Sequence, residues 1–227
     1  MRWSSRHRES VEDPFAAPRE AMVERQLRGR GIVDERVLAA MGAVPRERFV
    51  PREWTNRAYD DAALPIERGQ AISQPYIVAW MTELLQVVPG GLVLEIGTGS
   101  GYQAAVLATI GARVRSIERL PALAAVARER LAGLGLAEAV EVIVADGSLG
   151  DPATAPHARV IVTAGAPVVP RPLLDQLGEN GRLVIPVGAL DDQQLIVVTR
   201  QAGRLTETPV GGCAFVPLIG AAGFRPG

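Results

Sequence analysis

A doubly wound α/β fold, with a Rossmann-like, mostly parallel sheet and helices on both faces, is predicted by three features of this 227-residue chain. From Leu92 onward short apolar runs alternate with helical segments, and the first of those runs enters a glycine-rich loop. With 48% apolar residues, a chain of this length can bury both faces of such a sheet, and it points to one domain with small additions.

The elements follow in order. Residues 1–20 are polar, rich in Arg, Ser and Glu, and lack the apolar run of a secretory leader, so a frayed or disordered extension is expected there. Helical spacing then marks Pro18 to Arg28 and Asp34 to Met41, the second with Asp34 as its N-cap. Between Pro45 and Gln74 no period is sustained. Pro45, Pro51, Pro65 and the Gly69-Gln70 turn describe a loop, and loops this long in compact domains are more often functional than idle.

Ile77, Val78, Met81, Leu84, Leu85 and Val88 form the stripe of a helix opening at Ser73-Gln74-Pro75 and stopped by Pro89-Gly90-Gly91. Leu92 to Ile96, Val114 to Ile117, Val140 to Val144 and Val160 to Thr163 read as buried parallel strands. Tyr102 to Ile110, Leu120 to Leu131 and Pro172 to Leu177 read as the helices between and after them. Leu183 to Val187, Leu195 to Thr199 and Val210 to Val216 are strand candidates for an antiparallel end of the sheet, with Gln201 to Arg204 as a hairpin turn. The organisation expected is a single domain over 21–227, with N-terminal helices and the long loop over 21–90, the core over 91–190 and C-terminal strands over 191–227.

Several function classes are excluded by composition. A net charge of -1 gives no basic face for nucleic acid. No apolar stretch reaches the length of a membrane span. One cysteine, Cys213, forbids an internal disulfide, and His7 and His157 alone make no metal cluster. A metal-free cytoplasmic protein is expected.

The glycine loop carries the chemistry. Leu92 to Ile96 runs into Gly97-Thr98-Gly99-Ser100-Gly101 at the carboxyl end of the first core strand, where doubly wound sheets bind ligands. A dinucleotide site spaces its glycines G-x-G-x-x-G; here the third comes one residue early, after Glu95, which favours S-adenosylmethionine over NAD. Glu118 ends the second strand about 20 residues on, where an acid accepts ribose hydroxyls. Asp146-Gly147 ends the third, placed for the adenine edge.

Methyl transfer from a sulfonium is an in-line displacement governed by positioning, and an ionised carboxylate acceptor needs no general base. That suits a chain with both histidines poorly placed and no Cys/His or Ser/His arrangement. Ser73 and the backbone around it are candidate donors to the acceptor. Ser73 is also a candidate N-cap for the helix at Gln74-Pro75, and the residues alone favour the cap over the donor.

With these residues in view, the chain resembles the protein-L-isoaspartate O-methyltransferases from about Met22 to Gly220. The likeness is carried by Met22 to Leu27, by Val44 to Pro51, by Leu64-Pro65-Ile66, and by Gly69-Gln70-Ala71-Ile72-Ser73-Gln74-Pro75. It continues through Val93 to Gln103, Ile161 to Ala164, Gly181 to Gly188 and Phe215-Val216-Pro217-Leu218. The glycine loop is shared by many methyltransferases; the Ile-Ser-Gln-Pro segment and the Phe-Val-Pro-Leu tail are more specific.

The resemblance implies that Ser73 is the catalytic residue. Ile72, Glu95, Gly97, Thr98, Gly99, Ser100, Gly101, Glu118, Asp146, Gly147 and Thr163 would hold S-adenosylmethionine, and Gln74, Pro75, Ala164, Val216, Pro217 and Leu218 would line the substrate groove. It implies methylation of the α-carboxyl of isoaspartyl residues in damaged proteins and peptides; a monomer is expected. A relative acting on Asp side chains of a dedicated biosynthetic peptide is the alternative. Three positions depart from the family pattern: Ala71 for a threonine, Ala158 for an acid, and Ala214 for an arginine, which puts substrate preference in question.

Overall fold

The computed structural model describes residues 13–225. The part of the expected extension that covers residues 1–12 lies outside them; from Ala16 the chain is already helical. Helix α1 (Ala16–Ala21) runs into a π-helical turn over Met22–Leu27 and a 3-10 turn over Arg28–Arg30, stopped by Gly31 in the left-handed region. Helix α2 (Glu35–Ala43) starts where expected, because the Asp34 side chain accepts from the Arg36 amide at 2.9 Å. The long loop contains 3-10 turns at Arg46–Phe49 and Arg52–Arg57, then a two-rung hairpin of β1 (Leu64–Pro65) and β2 (Ala71–Ile72). Helix α3 (Pro75–Leu85) follows at once.

The core is a seven-stranded sheet in the order β5-β4-β3-β6-β7-β8-β9. Strands β3 (Leu92–Ile96), β4 (Arg113–Glu118), β5 (Val140–Val144), β6 (His157–Val162) and β7 (Leu177–Gly188) are parallel neighbours. Strands β8 (Gln193–Gln201) and β9 (Arg204–Cys213) pair antiparallel, through a turn whose central residues Ala202 and Gly203 both have positive φ. Helices α4 (Tyr102–Thr109), α5 (Pro121–Ala132) and α6 (Arg171–Gln176) complete the layers. Beyond Cys213 the chain leaves the sheet, so the strand expected over Val210 to Val216 lies earlier, and Val216 belongs to a separate crossing segment.

Strand periodicity divides the core between two faces. Val93, Ile161, Val184 and Val197 pack on one side, with α2, α3 and α4; Leu94, Ile96, Val160, Leu183 and Val198 pack on the other. Each such side chain taken fully from water contributes about 1.5–3 kcal/mol, which is why runs like Val-Leu-Glu-Ile hold the sheet centre. Connectivity changes direction at β3: the chain proceeds outward through β4 and β5, then returns to β3's other edge as β6. That switch point opens a crevice beyond the carboxyl ends of β3 and β6. No helix among the described residues is long and apolar enough to cross a membrane.

Candidate functional site

A cavity occupies the crevice, and a second opening adjoins it. Their common wall is formed by Ala71, Ser73, Thr163, Phe215 and Val216. Ser73 and Thr163 are therefore exposed to both spaces, and a group in one meets a group in the other across them.

The inner cavity is built on the glycine loop. Gly97 has φ +96°, and a Cβ there would lie 2.5 Å from Thr163 Oγ1, so backbone freedom and space both demand glycine. Gly99 has φ +51°, a Cβ there would only just touch Ile66 at 4.0 Å, and its backbone lines the cavity. The Gly99 amide donates to one oxygen of Glu118 at 2.9 Å, and the Leu120 amide to the other at 2.9 Å. Glu118 thus ties the loop to the end of β4 while still lining the cavity. Ile72, Gly97, Thr98, Gly99, Ser100, Gly147 and Thr163 line it as well, together with Ala164, Pro217 and Leu218.

Three residues expected at the cofactor do not line the inner cavity. Glu95 shares the sheet face of Val93 and is turned away from the cavity that Ile96 lines; it is fully buried, accepts from Ser116 Oγ, and its Oε1 has no partner. Ser116 Oγ lies 2.6 Å from Thr98 Oγ1, so a buried polar chain supports the loop from beneath. Burial pushes the Glu95 carboxyl up to about 8. Gly101 caps α4, where a Cβ would stand 3.4 Å from that of Ala127; its glycine serves helix packing. Asp146 is satisfied by Ser148 N, Ser148 Oγ and, at 2.7 Å, by the Ala221 amide of the tail. Although burial alone would raise it, those donors hold the Asp146 carboxyl below its usual range.

The outer opening is a groove lined by Ala62, Ala63, Gln74, Tyr76, Ile77, Trp80 and residues 212–216. Tyr76 and Trp80 stack, and Arg30 covers Tyr76 at 3.7 Å from the ring centre. Arg30 donates to Asp61 at 3.0 Å, and Gln74 Nε2 donates to the same carboxylate at 2.8 Å. Pro75, expected in the groove, is instead buried as the first residue of α3.

Ser73 is not the helix cap. Gln74 holds that position with no side-chain cap bond, Pro75 at N1 has no amide to satisfy, and Ser73 Oγ makes no hydrogen bond among the described residues. Its hydroxyl remains available in the shared wall. Its carbonyl accepts from Arg46 Nη2 at 2.8 Å.

Sequence reasoning passed over Arg46, Gln193 and several lining residues, among them Gln70, Gln103 and Arg119. Gln193, buried in β8, donates to Phe215 O at 3.1 Å and accepts from Phe215 N at 2.9 Å. The tail is tied again where Gly165 donates to Val216 O and accepts from Leu218 N, so it straps the cavity. A polar residue such as Gln193 within an apolar strand was the available signal. Of the three departures, Ala71 and Ala214 line the groove, whereas Ala158 is exposed at the opposite end of β6.

The model of the protein-L-isoaspartate(D-aspartate) O-methyltransferase family matches residues 17–223. A protein-L-isoaspartate O-methyltransferase of Methanoculleus marisnigri is 54% identical over 213 residues, covering 94% of this chain and 96% of its own. One from Methanoregula boonei is 53% identical, covering 93% and 97%. A solved protein-L-isoaspartate O-methyltransferase superposes with a TM-score of 0.81 at 28% identity, over 90% of this chain and 67% of that one. A Plasmodium falciparum structure described as a putative enzyme of this kind in complex with S-adenosyl-L-homocysteine gives 0.76 at 25% identity, over 87% and 96%.

Proposed function

The chain belongs to the protein-L-isoaspartate(D-aspartate) O-methyltransferase family, and from that premise we infer that it methylates the α-carboxyl of L-isoaspartyl residues in damaged proteins and peptides. The observation that carries the reading is the wall shared by the two openings, with the free Ser73 hydroxyl in it. One opening has the glycine cradle of a nucleoside-bearing cofactor; the other is open enough for a polypeptide.

The residues present fit S-adenosylmethionine. Gly99 lines the cavity without a side chain, and Glu118 keeps spare acceptor capacity for hydroxyls after binding two amides. When bound, S-adenosylmethionine supplies a methyl group on a cationic sulfur. We assign Gly97 to Ser100, Gly147 and Ile72 to enclosing it, and Glu118 to its ribose.

Ser73 is assigned to the acceptor. Its hydroxyl donates to one oxygen of the isoaspartyl carboxylate, leaving the other oxygen to attack and turning it toward the cofactor cavity. The attacking group is already an anion, so no side chain has to remove a proton, and His157 is engaged with Asp151 O far from this wall. The tail segment Phe215 to Leu218 and Ile72 exclude water from the line of transfer. The main chain of residues 212–216 beside the groove suits a substrate recognised by its kinked backbone.

The test is methyl incorporation into an isoaspartyl peptide and into its normal aspartyl twin. Methylation of the first alone is expected; equal or reversed preference overturns the reading.

A further inference from the structure

Arg46 makes no contact with either opening, yet its guanidinium joins the elements that form both. Nε donates to Ala58 O at 2.7 Å, in the loop leading to the groove. Nη2 donates to Ser73 O at 2.8 Å, and the guanidinium carbon lies 4.9 Å from the ring centre of Tyr102, which opens the helix after the glycine loop and lines the cofactor cavity. The side chain is fully buried, Nη1 has no partner, and no carboxylate pairs with it among the described residues. Burial draws its pKa down to about 10, which leaves it charged at neutral pH.

A purely structural tie does not explain that arrangement. Both bonds go to backbone carbonyls, which are neutral and leave the charge uncompensated, and a buried cation without an anion is costly to keep. The arrangement lacks one component, an anion near Ser73, and the inferred reaction brings a carboxylate to that residue. The aromatic face of Tyr102 compensates the charge only in part.

We propose that Arg46 is a positioning residue for methyl transfer: it fixes the Ser73 main chain, and its buried charge makes the site select an ionised acceptor over a neutral one of the same shape. This rests on the functional reading above. Arg46 acts through Ser73 and through its field, without touching the substrate. Low local dielectric makes a charge at this depth effective, unlike the solvated Arg30–Asp61 pair at the groove's rim.

The experiment compares an isoaspartyl peptide with the same peptide carrying a carboxamide in place of that α-carboxylate, using KM for the first and Ki for the second at saturating cofactor. It is run on the wild type, Arg46→Met and Arg46→Lys, with the Kd of S-adenosylhomocysteine and thermal melting as controls. The wild type is expected to prefer the carboxylate, Arg46→Met to lose about tenfold of that preference and Arg46→Lys to keep it within about threefold, with cofactor affinity little changed. An Arg46→Met enzyme that discriminates as the wild type does overturns the proposal. A wild type that does not methylate the isoaspartyl peptide overturns the functional reading instead. Should Arg46→Met fail to fold, Arg46→Gln removes the charge while keeping a donor, and the same loss is required of it.

Discussion

The two sides of the Ser73 wall are built differently. On the cofactor side the loop rests on buried groups: Gly97 against Thr163, Gly99 on Glu118, Thr98 on Ser116 and Glu95. On the acceptor side the groove lies between the first turns of α3 and the end of β9 with the residues that follow it, and it is held at its rim by Arg30, Asp61 and Gln74, which are partly solvated. The contrast suits a site that takes one invariant small molecule and many different polypeptides. Buried polar contacts are concentrated under the glycine loop, and solvated ones at the rim of the groove.

The sharpest way to break that contrast is Gly97→Val. It combines an unfavourable left-handed backbone with a collision at Thr163, and S-adenosylhomocysteine affinity measured by calorimetry is expected to fall about 100-fold or more. Ser73→Ala comes next. Turnover is expected to drop about 10- to 100-fold in steady-state assays while cofactor affinity stays level, because the hydroxyl has no structural partner to lose. Equal loss of both would place Ser73 on the cofactor side of the comparison.

Glu95→Gln tests the buried support by pH. Its carboxyl is raised by burial from an ordinary 4.5 to about 8, so its contribution to stability is fully present below about 4.5 and is lost as pH rises toward 8. Relative to Glu95→Gln, the wild type is expected to lose on the order of 3 kcal/mol between pH 4.5 and pH 7 in denaturant titrations. Parallel pH profiles for the two proteins would remove Glu95 from the account of the loop. The smallest effect belongs to the rim: Asp61→Ala is expected to raise peptide KM about two- to fivefold and leave cofactor affinity unchanged, since exposed pairs contribute little.

The sheet was legible because burial on both faces forces a composition. Leu92 to Ile96 and Val140 to Val144 emerge with their true ends, and the glycine loop announces the crevice. What failed was the direction of side chains. Glu95 and Ile96 are adjacent, and strand parity sends one beneath the loop and the other to the cavity, a rule that was available and outweighed by the motif. Asp146 was unreadable in another sense. Its partner, Ala221, is remote in sequence, and an Asp-Gly turn carries no mark of a tail that will arrive to cover it. Arg46 sat within a matching segment, but an arginine in a polar-looking loop reads as solvated until its burial is seen. The cap reading of Ser73 failed because proline at N1 had already reduced the need for a cap.

The strap formed by residues 215–219 carries a consequence for the order of folding. The wall around Ser73 brings a segment ahead of the first core strand beside one that follows the last, so it closes a long loop and comes after the sheet that anchors both parts. In refolding from denaturant, far-ultraviolet ellipticity should return before methyl transfer does. A protein caught in the interval would have its architecture and no activity, with tail amides such as Ala221 the last to gain protection from hydrogen exchange.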